Sequence, residues 1–175
     1  TPATSGVLLE TGFQTDPAPE VEVPDRLGNV SSGLIFRPRR LNGALPIIDE
    51  AWMIAQGATA AEADNLNGPS CVRIPDWVPP EDRADPSAVY YLYFAHHSGK
   101  FIRMAWATNL AGPWTGYRLS SALPWEERGV LSLGADDTIS PGNGIEISGH
   151  IASPQVLIDE TNQQFVMYYH GPVTY

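Results

Sequence analysis

The stretch Gly149–Pro172, GHIASPQVLIDETNQQFVMYYHGP, predicts a β-hairpin. A run of branched aliphatic residues, Val156–Ile158, precedes an aromatic-rich run, Phe165–Tyr169. Between these runs lies Asp159–Asn162, DETN, whose polar residues are typical of turns. The hairpin indicates that the chain is built from β-strands.

An earlier part of the chain resembles this hairpin. It consists of Asn67–Ile74, NGPSCVRI, a polar insertion, and Tyr90–His97, YYLYFAHH. A hairpin that occurs twice, with a histidine at the same strand end, predicts an internal repeat. Chance similarity between two apolar hairpins is the alternative. The alignment sets Val72 against Val156, Phe94 against Tyr168 and His96 against His170.

Composition restricts the class of protein. The 175 residues suit one domain, and 43% hydrophobic with 17% charged residues indicate a globular chain. No apolar run approaches the roughly 20 residues that span a membrane. The net charge of −10 argues against nucleic acid and anionic membranes as partners.

The density of predicted strands changes along the chain. Residues 1–64 are predicted to form an N-terminal arm with a possible closing strand at Ser32–Arg37 and a helical turn or surface loop within Glu50–Asp64. Residues 65–175 are predicted to be rich in strands. Before the hairpin at the end, the predicted successive strands are Cys71–Ile74, Tyr90–His96, Phe101–Ala107 and Val130–Leu133.

Four segments carry a family resemblance. They are NGPSCVRIPDW, YYLYFAHHSG, IRMAWATNLAGPW and HIASPQVLIDE, and in this order they resemble five-bladed β-propeller proteins related to glycoside hydrolase families 43 and 32. The resemblance implies an all-β fold, a five-bladed propeller to which residues 65–175 contribute roughly the first two blades. It also implies that the protein acts on or binds a glycan at the propeller axis.

Two departures from the family bear on catalysis. The related hydrolases place a carboxylate where Asn67 or Ser70 stands, and an Asp where Gln155 follows Ser-Pro. A glycosidase needs two carboxyl groups beside the scissile bond, and an amide cannot replace either group. The catalytic residues are therefore not identified. A non-catalytic propeller that binds glycans or serves in assembly is the alternative to a hydrolase.

The resemblance also implies a partner. Tyr175 follows the second strand of the second predicted blade, and an open blade exposes unpaired backbone groups at its edge. A second polypeptide or subunit is therefore expected to complete the ring. A smaller β-sandwich is the competing expectation.

Polar residues at the ends of the predicted strands are the candidate ligand-binding residues. If the blades converge on an axis, these side chains line one cavity that suits a glycan or a small sugar. A transition-metal site built from the histidines is a further alternative, although their spacing is not diagnostic. No phosphate-binding glycine loop or dinucleotide fingerprint occurs, so no cofactor is predicted. The candidates are Asn67, Ser70, His96, His97, Arg103, His150, Ser153, Gln155 and His170.

Other residues receive structural or secondary roles. Cys71 lies in an apolar strand and is predicted to be a small buried residue. The first residues, TPATSG, are compatible with a signal cleavage site and therefore with a secreted or extracytoplasmic protein, or with an arbitrary chain boundary. Tryptophans offer planes on which sugars stack, Trp114 being the one expected to be structural. They are Trp77, Trp106, Trp114 and Trp125.

Overall fold

The computed structural model describes residues 21–24, 30–36, 45–134, 136–142 and 144–174. The chain divides into two compact units, residues 1–47 and 48–175. In the first unit, β1 (Val21–Pro24) pairs antiparallel with β2 (Val30–Phe36). The strand predicted at Ser32–Arg37 is confirmed as far as Phe36.

The second unit is mostly β-sheet with two short α-helices, which confirms the all-β class. A closed propeller is not seen among the described residues, and the number of blades remains a prediction. No helix of the described segments is long and apolar enough to cross a membrane. The elements are α1 (Glu50–Ala55), α2 (Ala60–Ala63), β3 (Leu66–Arg73), β4 (Tyr90–His96), β5 (Phe101–Ala107), β6 (Thr115–Tyr117), β7 (Leu131–Ser132), β8 (Thr138–Gly142), β9 (Ile145–Ser148), β10 (Ala152–Asp159), β11 (Gln164–His170) and β12 (Val173–Thr174).

The main sheet has the antiparallel order β3-β4-β5-β6, and β7 also pairs with β5. The predicted fourth strand, Val130–Leu133, is confirmed only at Leu131–Ser132, and it shares the outer edge of β5 with the unpredicted β6. Thr115–Tyr117 pairs with the second half of β5, and Leu131–Ser132 pairs with its first residues. The strand Thr115–Tyr117 was not predicted, because it has only three residues, with Gly116 at its centre, and no alternation of apolar and polar residues.

Both faces of the main sheet are covered. Alternating residues of β4 point to opposite faces, so Tyr91 and Tyr93 pack on one side and Phe94 on the other. The β10–β11 hairpin covers the first face with Val156, Phe165 and Met167. The helices and the loop after β5 cover the second face, where the buried residues are Met53, Ala58, Ala63, Phe94, Ala105, Ala107, Trp114 and Leu119.

The two helices are short, and local hydrogen bonds fix their first turns. Asp49 caps α1, because its Oδ1 accepts from the Trp52 N–H at 2.7 Å. Thr59 and Glu62 form a capping box at α2. Gly57 separates the helices in the left-handed region, at φ +91°. The predicted helical turn within Glu50–Asp64 is confirmed as two turns instead of one.

The β3–β4 and β10–β11 hairpins share an irregularity at the same place. Three steps along β3, from Asn67 to Ser70, face two steps along β4. Three steps along β10, from Ala152 to Gln155, face two steps along β11. Each first strand therefore carries one extra residue, a β-bulge, close to its beginning. Two hairpins with one bulge in the same place support an internal repeat.

The pairing corrects the alignment of the repeat by one residue. Tyr93 occupies the position of Tyr168, and Ala95 occupies that of His170. His96 pairs with Leu66 and is not the counterpart of His170. The sequence did not define the register because these strands are apolar on both faces, and a slip of one residue exchanges the faces without breaking an apolar pattern.

The bulges bring the backbones of β3 and β10 into direct contact. Gly68 has φ +60°, and a Cβ atom built on it would lie 2.5 Å from the Ser153 Cα atom. Two residues further along β3, the Ser70 Oγ accepts a hydrogen bond from the Val156 N–H at 2.9 Å. Only glycine fits this backbone conformation and this close approach together.

Gly68→Ala is expected to lower the free energy of unfolding by roughly 2–4 kcal/mol, because it combines a left-handed backbone with a clash in a packed interface. Gly149→Ala is the matched control, since Gly149 has φ +82° and open space around its Cβ position. This control is expected to cost about 1–2 kcal/mol. Urea denaturation of both variants measures the difference. Equal losses would mean that β3 and β10 are not in close contact.

Candidate functional site

Four of the predicted residues lie along the line where β3 and β10 meet, which we call the β3–β10 seam. Asn67 and Ser70 come from β3, and Ser153 and Gln155 come from β10. The contact of Gly68 with Ser153 holds the two strands together at this point. Ser153 has φ +50°, which is uncommon for a residue other than glycine. The seam is a strained backbone junction with polar side chains.

The seam offers neutral hydrogen-bonding groups with different exposure. Ser153 and Gln155 are exposed, and Gln155 points away from the main sheet because its neighbour Val156 packs on that sheet. Ser70 is half-buried and turns toward β10, with its Oγ bonded to the Val156 N–H. The Asn67 Oδ1 atom is buried and has no hydrogen-bond partner among the described residues. Amides and hydroxyls supply donors and acceptors without a charge. The exposed members of this set therefore suit a hydroxyl-rich ligand.

The histidines divide into two pairs. The rings of His150 and His170 lie 5.8 Å apart, edge to face, and His170 pairs across the hairpin with Ala152. His97 is exposed, and its backbone N–H donates to the Asn65 carbonyl at 3.1 Å. The described residues contain no group of three or more His, Cys, Asp or Glu side chains that could hold a metal ion.

His96 is held in one orientation by two hydrogen bonds. Its Nδ1 accepts from the Ser98 backbone N–H at 3.0 Å, and its Nε2 lies 2.7 Å from the Asp64 Oδ1. A neutral imidazole whose Nδ1 accepts a hydrogen bond carries its proton on Nε2. The Nε2–H group of His96 therefore donates a hydrogen bond to Asp64. His96 thus belongs to the side of the main sheet that carries the helices.

Arg103 lies on this same side and is buried. Its exposure is 5%, and its Nη1 donates to the Glu62 backbone carbonyl. It opens onto a cleft of about 390 Å³, which we call the Arg103 cleft. Burial lowers the pKa of Arg103, and the Glu62 charge opposes that effect. The other wall residues include Thr59, Glu62, His96, Ser98, Lys100, Phe101, Trp125 and Arg128.

Glu62 organises one wall of the cleft. Burial raises its pKa, but hydrogen bonds from the Thr59 N–H and hydroxyl and the charges of Arg103 and Arg128 outweigh burial, so the net pKa is lower than usual. The Thr59 N–H and hydroxyl donate to Oε2 at 3.0 and 2.8 Å. Arg128 Nη1 lies 3.3 Å from Oε1. The carboxylate is therefore fully engaged within the protein.

The sequence missed most of this cleft. His96, Arg103 and Trp125 were each singled out, Arg103 as a cation between Ile102 and Met104 in an apolar strand, but nothing in the sequence joined them into one site. Glu62 gave no sign of a role, because an acidic residue in an alanine-rich helix usually faces solvent. Lys100 and Arg128 are far from Glu62 in sequence, and only the packing of the helices on β5 brings them together.

The tryptophans lie in different surroundings. Trp114 is buried and structural, as predicted, and its carbonyl accepts from the Trp52 indole at 3.2 Å. Trp77 donates to Glu160 at 2.7 Å. Trp106 packs beside the buried face that the β10–β11 hairpin covers. Trp125 is the one that lines the Arg103 cleft.

The prediction that Cys71 is buried is wrong, because Cys71 is exposed. It lies on the face of β3 opposite Ser70 and Val72, which turn toward the β10–β11 hairpin. Partial burial still raises the pKa of its thiol.

Glu62→Gln is expected to lower the free energy of unfolding by about 1–2 kcal/mol at pH 7, because it removes charged hydrogen bonds. Since the folded-state pKa of Glu62 lies below that of a free glutamate, the stabilisation is complete above the unfolded-state pKa and is lost as pH falls through the folded-state pKa. Urea denaturation between pH 7 and pH 3 measures the difference between wild type and variant. Glu81→Gln, on the exposed surface, is the control. A difference that stays constant at acid pH would contradict the assignment.

Comparison with known proteins identifies one weak relative. The chain is 27% identical over 114 residues to a protein of Acanthamoeba polyphaga mimivirus described as uncharacterized protein R118. The match covers 62% of this chain and 29% of the viral protein. No protein-family description matches the chain, and no solved structure matches it. The comparisons therefore assign neither a family nor an activity.

Proposed function

We propose that this chain forms part of a glycan-binding β-propeller, in which the β3–β4 and β10–β11 hairpins begin two neighbouring blades. The observation that carries the proposal is the repeated bulged hairpin, whose second copy packs on the face of the first. Consecutive blades of a propeller pack face to face in this way. The resemblance to glycoside hydrolase-related propellers supports the same interpretation.

The exposure of equivalent residues supports a further packing step. Tyr93 is 6% exposed under the second hairpin, whereas Tyr168, its counterpart, is 61% exposed. Leu157, on the same face of β10 as Gln155, is 49% exposed. We propose that another sheet, from a second polypeptide or subunit, packs on the Leu157 end of this face and continues the ring, with Gln155 and Ser153 at the open edge of the contact. Exposed large apolar side chains on a sheet face often mark a surface that packs against another layer.

The polar groups at the seam favour binding over hydrolysis. Asn67 or Ser70, and Gln155, stand where the related hydrolases carry carboxylates, and none of them transfers a proton in the way a glycosidase acid or base does. The exposed Gln155 amide and Ser153 hydroxyl can bond the hydroxyl groups of a sugar in either direction. The proposed ligand is a neutral glycan.

Binding of neutral oligosaccharides is expected to shift the backbone amide signals of Ser153 and Gln155 in NMR titrations. Gln155→Ala is expected to raise the Kd by about tenfold, the effect of losing one or two hydrogen bonds to ligand. Glu81→Gln, exposed and distant in sequence, is the matched control and should leave the Kd unchanged. The titration uses the full chain and a panel of neutral disaccharides and trisaccharides.

Shifts confined to other surfaces, or equal Kd values for wild type and Gln155→Ala, would contradict binding at the seam. Gln155→Asp addresses the enzyme alternative, because it introduces the carboxylate of the related hydrolases at this position. Release of reducing sugar by that variant would favour a lapsed hydrolase over a module that evolved for binding alone.

A further inference from the structure

We propose that the Arg103 cleft binds the carboxylate group of a small organic acid, with the body of the ligand against Trp125. This site lies on the helix side of the main sheet and does not depend on the glycan proposal. Among the described residues, the buried cation Arg103 has no anionic hydrogen-bond partner.

The other charged groups around the cleft are already paired with one another. Lys100 is paired with Asp137, His96 is bonded to Asp64, and Arg128 is paired with Glu62. Among the described residues, the guanidinium group of Arg103 donates only to a neutral acceptor, the Glu62 carbonyl. A buried charge is costly unless an opposite charge and hydrogen bonds compensate it.

The Glu62 carboxylate is not free to turn toward Arg103. Its Oε2 accepts two hydrogen bonds from Thr59, and its Oε1 faces Arg128. Arg128 is itself fixed by hydrogen bonds to the carbonyl groups of Leu123 at 3.0 Å and Ser121 at 2.5 Å. The Glu62 carboxylate is therefore paired with Arg128 alone, and the positive charge of Arg103 is in excess at the wall.

An aromatic wall stands beside this charge. Trp125 packs on Phe101 with ring centres 4.6 Å apart, and its indole N–H donates to the Leu133 carbonyl at 2.7 Å. Lys100 and Arg128 lie near the Trp125 ring at 5.8 and 5.6 Å. The ring is thus held in place and remains half-buried. A fixed aromatic plane beside a cation suits a ligand with an apolar body and an acidic end.

The size and the donor geometry select the ligand class. A volume of about 390 Å³ lies at the lower end of the range for small-molecule pockets. A guanidinium group presents parallel N–H donors that match the two oxygens of a carboxylate. Free phosphate offers similar oxygens but has no body to contact Trp125. The combination of charge and aromatic wall therefore favours an organic carboxylate.

Benzoate is the probe for this site, and benzamide is its neutral counterpart of the same shape. Benzoate is expected to shift the Trp125 indole N–H signal in NMR titrations of the full chain, and benzamide is expected to bind at least about tenfold more weakly. Arg103→Gln is expected to raise the benzoate Kd by about tenfold or more. Arg118→Gln, an exposed arginine outside the cleft, is the control and should leave the Kd unchanged.

Equal affinity for benzamide and benzoate would overturn the proposal, as would equal losses in the two arginine variants. Inorganic phosphate that binds as tightly as benzoate would also overturn it, because the site would then accept any free oxyanion. If Arg103→Gln does not fold, the comparison of benzoate with benzamide on the wild-type chain, read at the Trp125 signal, decides the question alone.

Discussion

The contact between β3 and β10 at Gly68 and Ser153 is the constraint on which the second unit depends. β4 and β5 are apolar on both faces, so they need a cover on each side. The β10–β11 hairpin supplies one cover only if β10 can approach β3 closely enough. The bulge in each strand and the missing side chain of Gly68 permit this approach. The Ser70–Val156 hydrogen bond then fixes the position of the hairpin along the strand.

The other cover combines apolar packing with charge. Met53 and Ala63 of the helices pack on Phe94 and Ala105 of the sheet. At the end of this layer, Arg103 projects from the apolar strand β5 and meets α2 through the Glu62 carbonyl. A buried cation in a core layer lowers stability unless it is compensated. The two sides of one sheet thus have different chemistry, neutral and polar at the seam and charged and aromatic in the cleft.

The sequence predicted those features that depend on local pattern. Strand β4 and the β10–β11 hairpin were predicted because their aromatic and branched residues lie between turn residues. The predicted alignment of the two hairpins was wrong by one residue. Apolar residues on both faces of a strand do not show which residues point to the same side. Thr115–Tyr117 was missed because it is held by pairing with β5 and not by its own composition. The Arg103 cleft was not predicted, because its charges meet only after the helices pack on the sheet.

Amide hydrogen exchange at Val156 tests the central contact most directly. The Val156 N–H donates to the Ser70 Oγ and therefore points away from β11, so its protection reports the seam and not the hairpin. The wild-type amide is expected to exchange slowly, and Ser70→Ala is expected to accelerate it by about tenfold while the β11 amides keep their rates. An unprotected Val156 amide in the wild type, or one that is unaffected by Ser70→Ala, would contradict the packing of the second hairpin on the first.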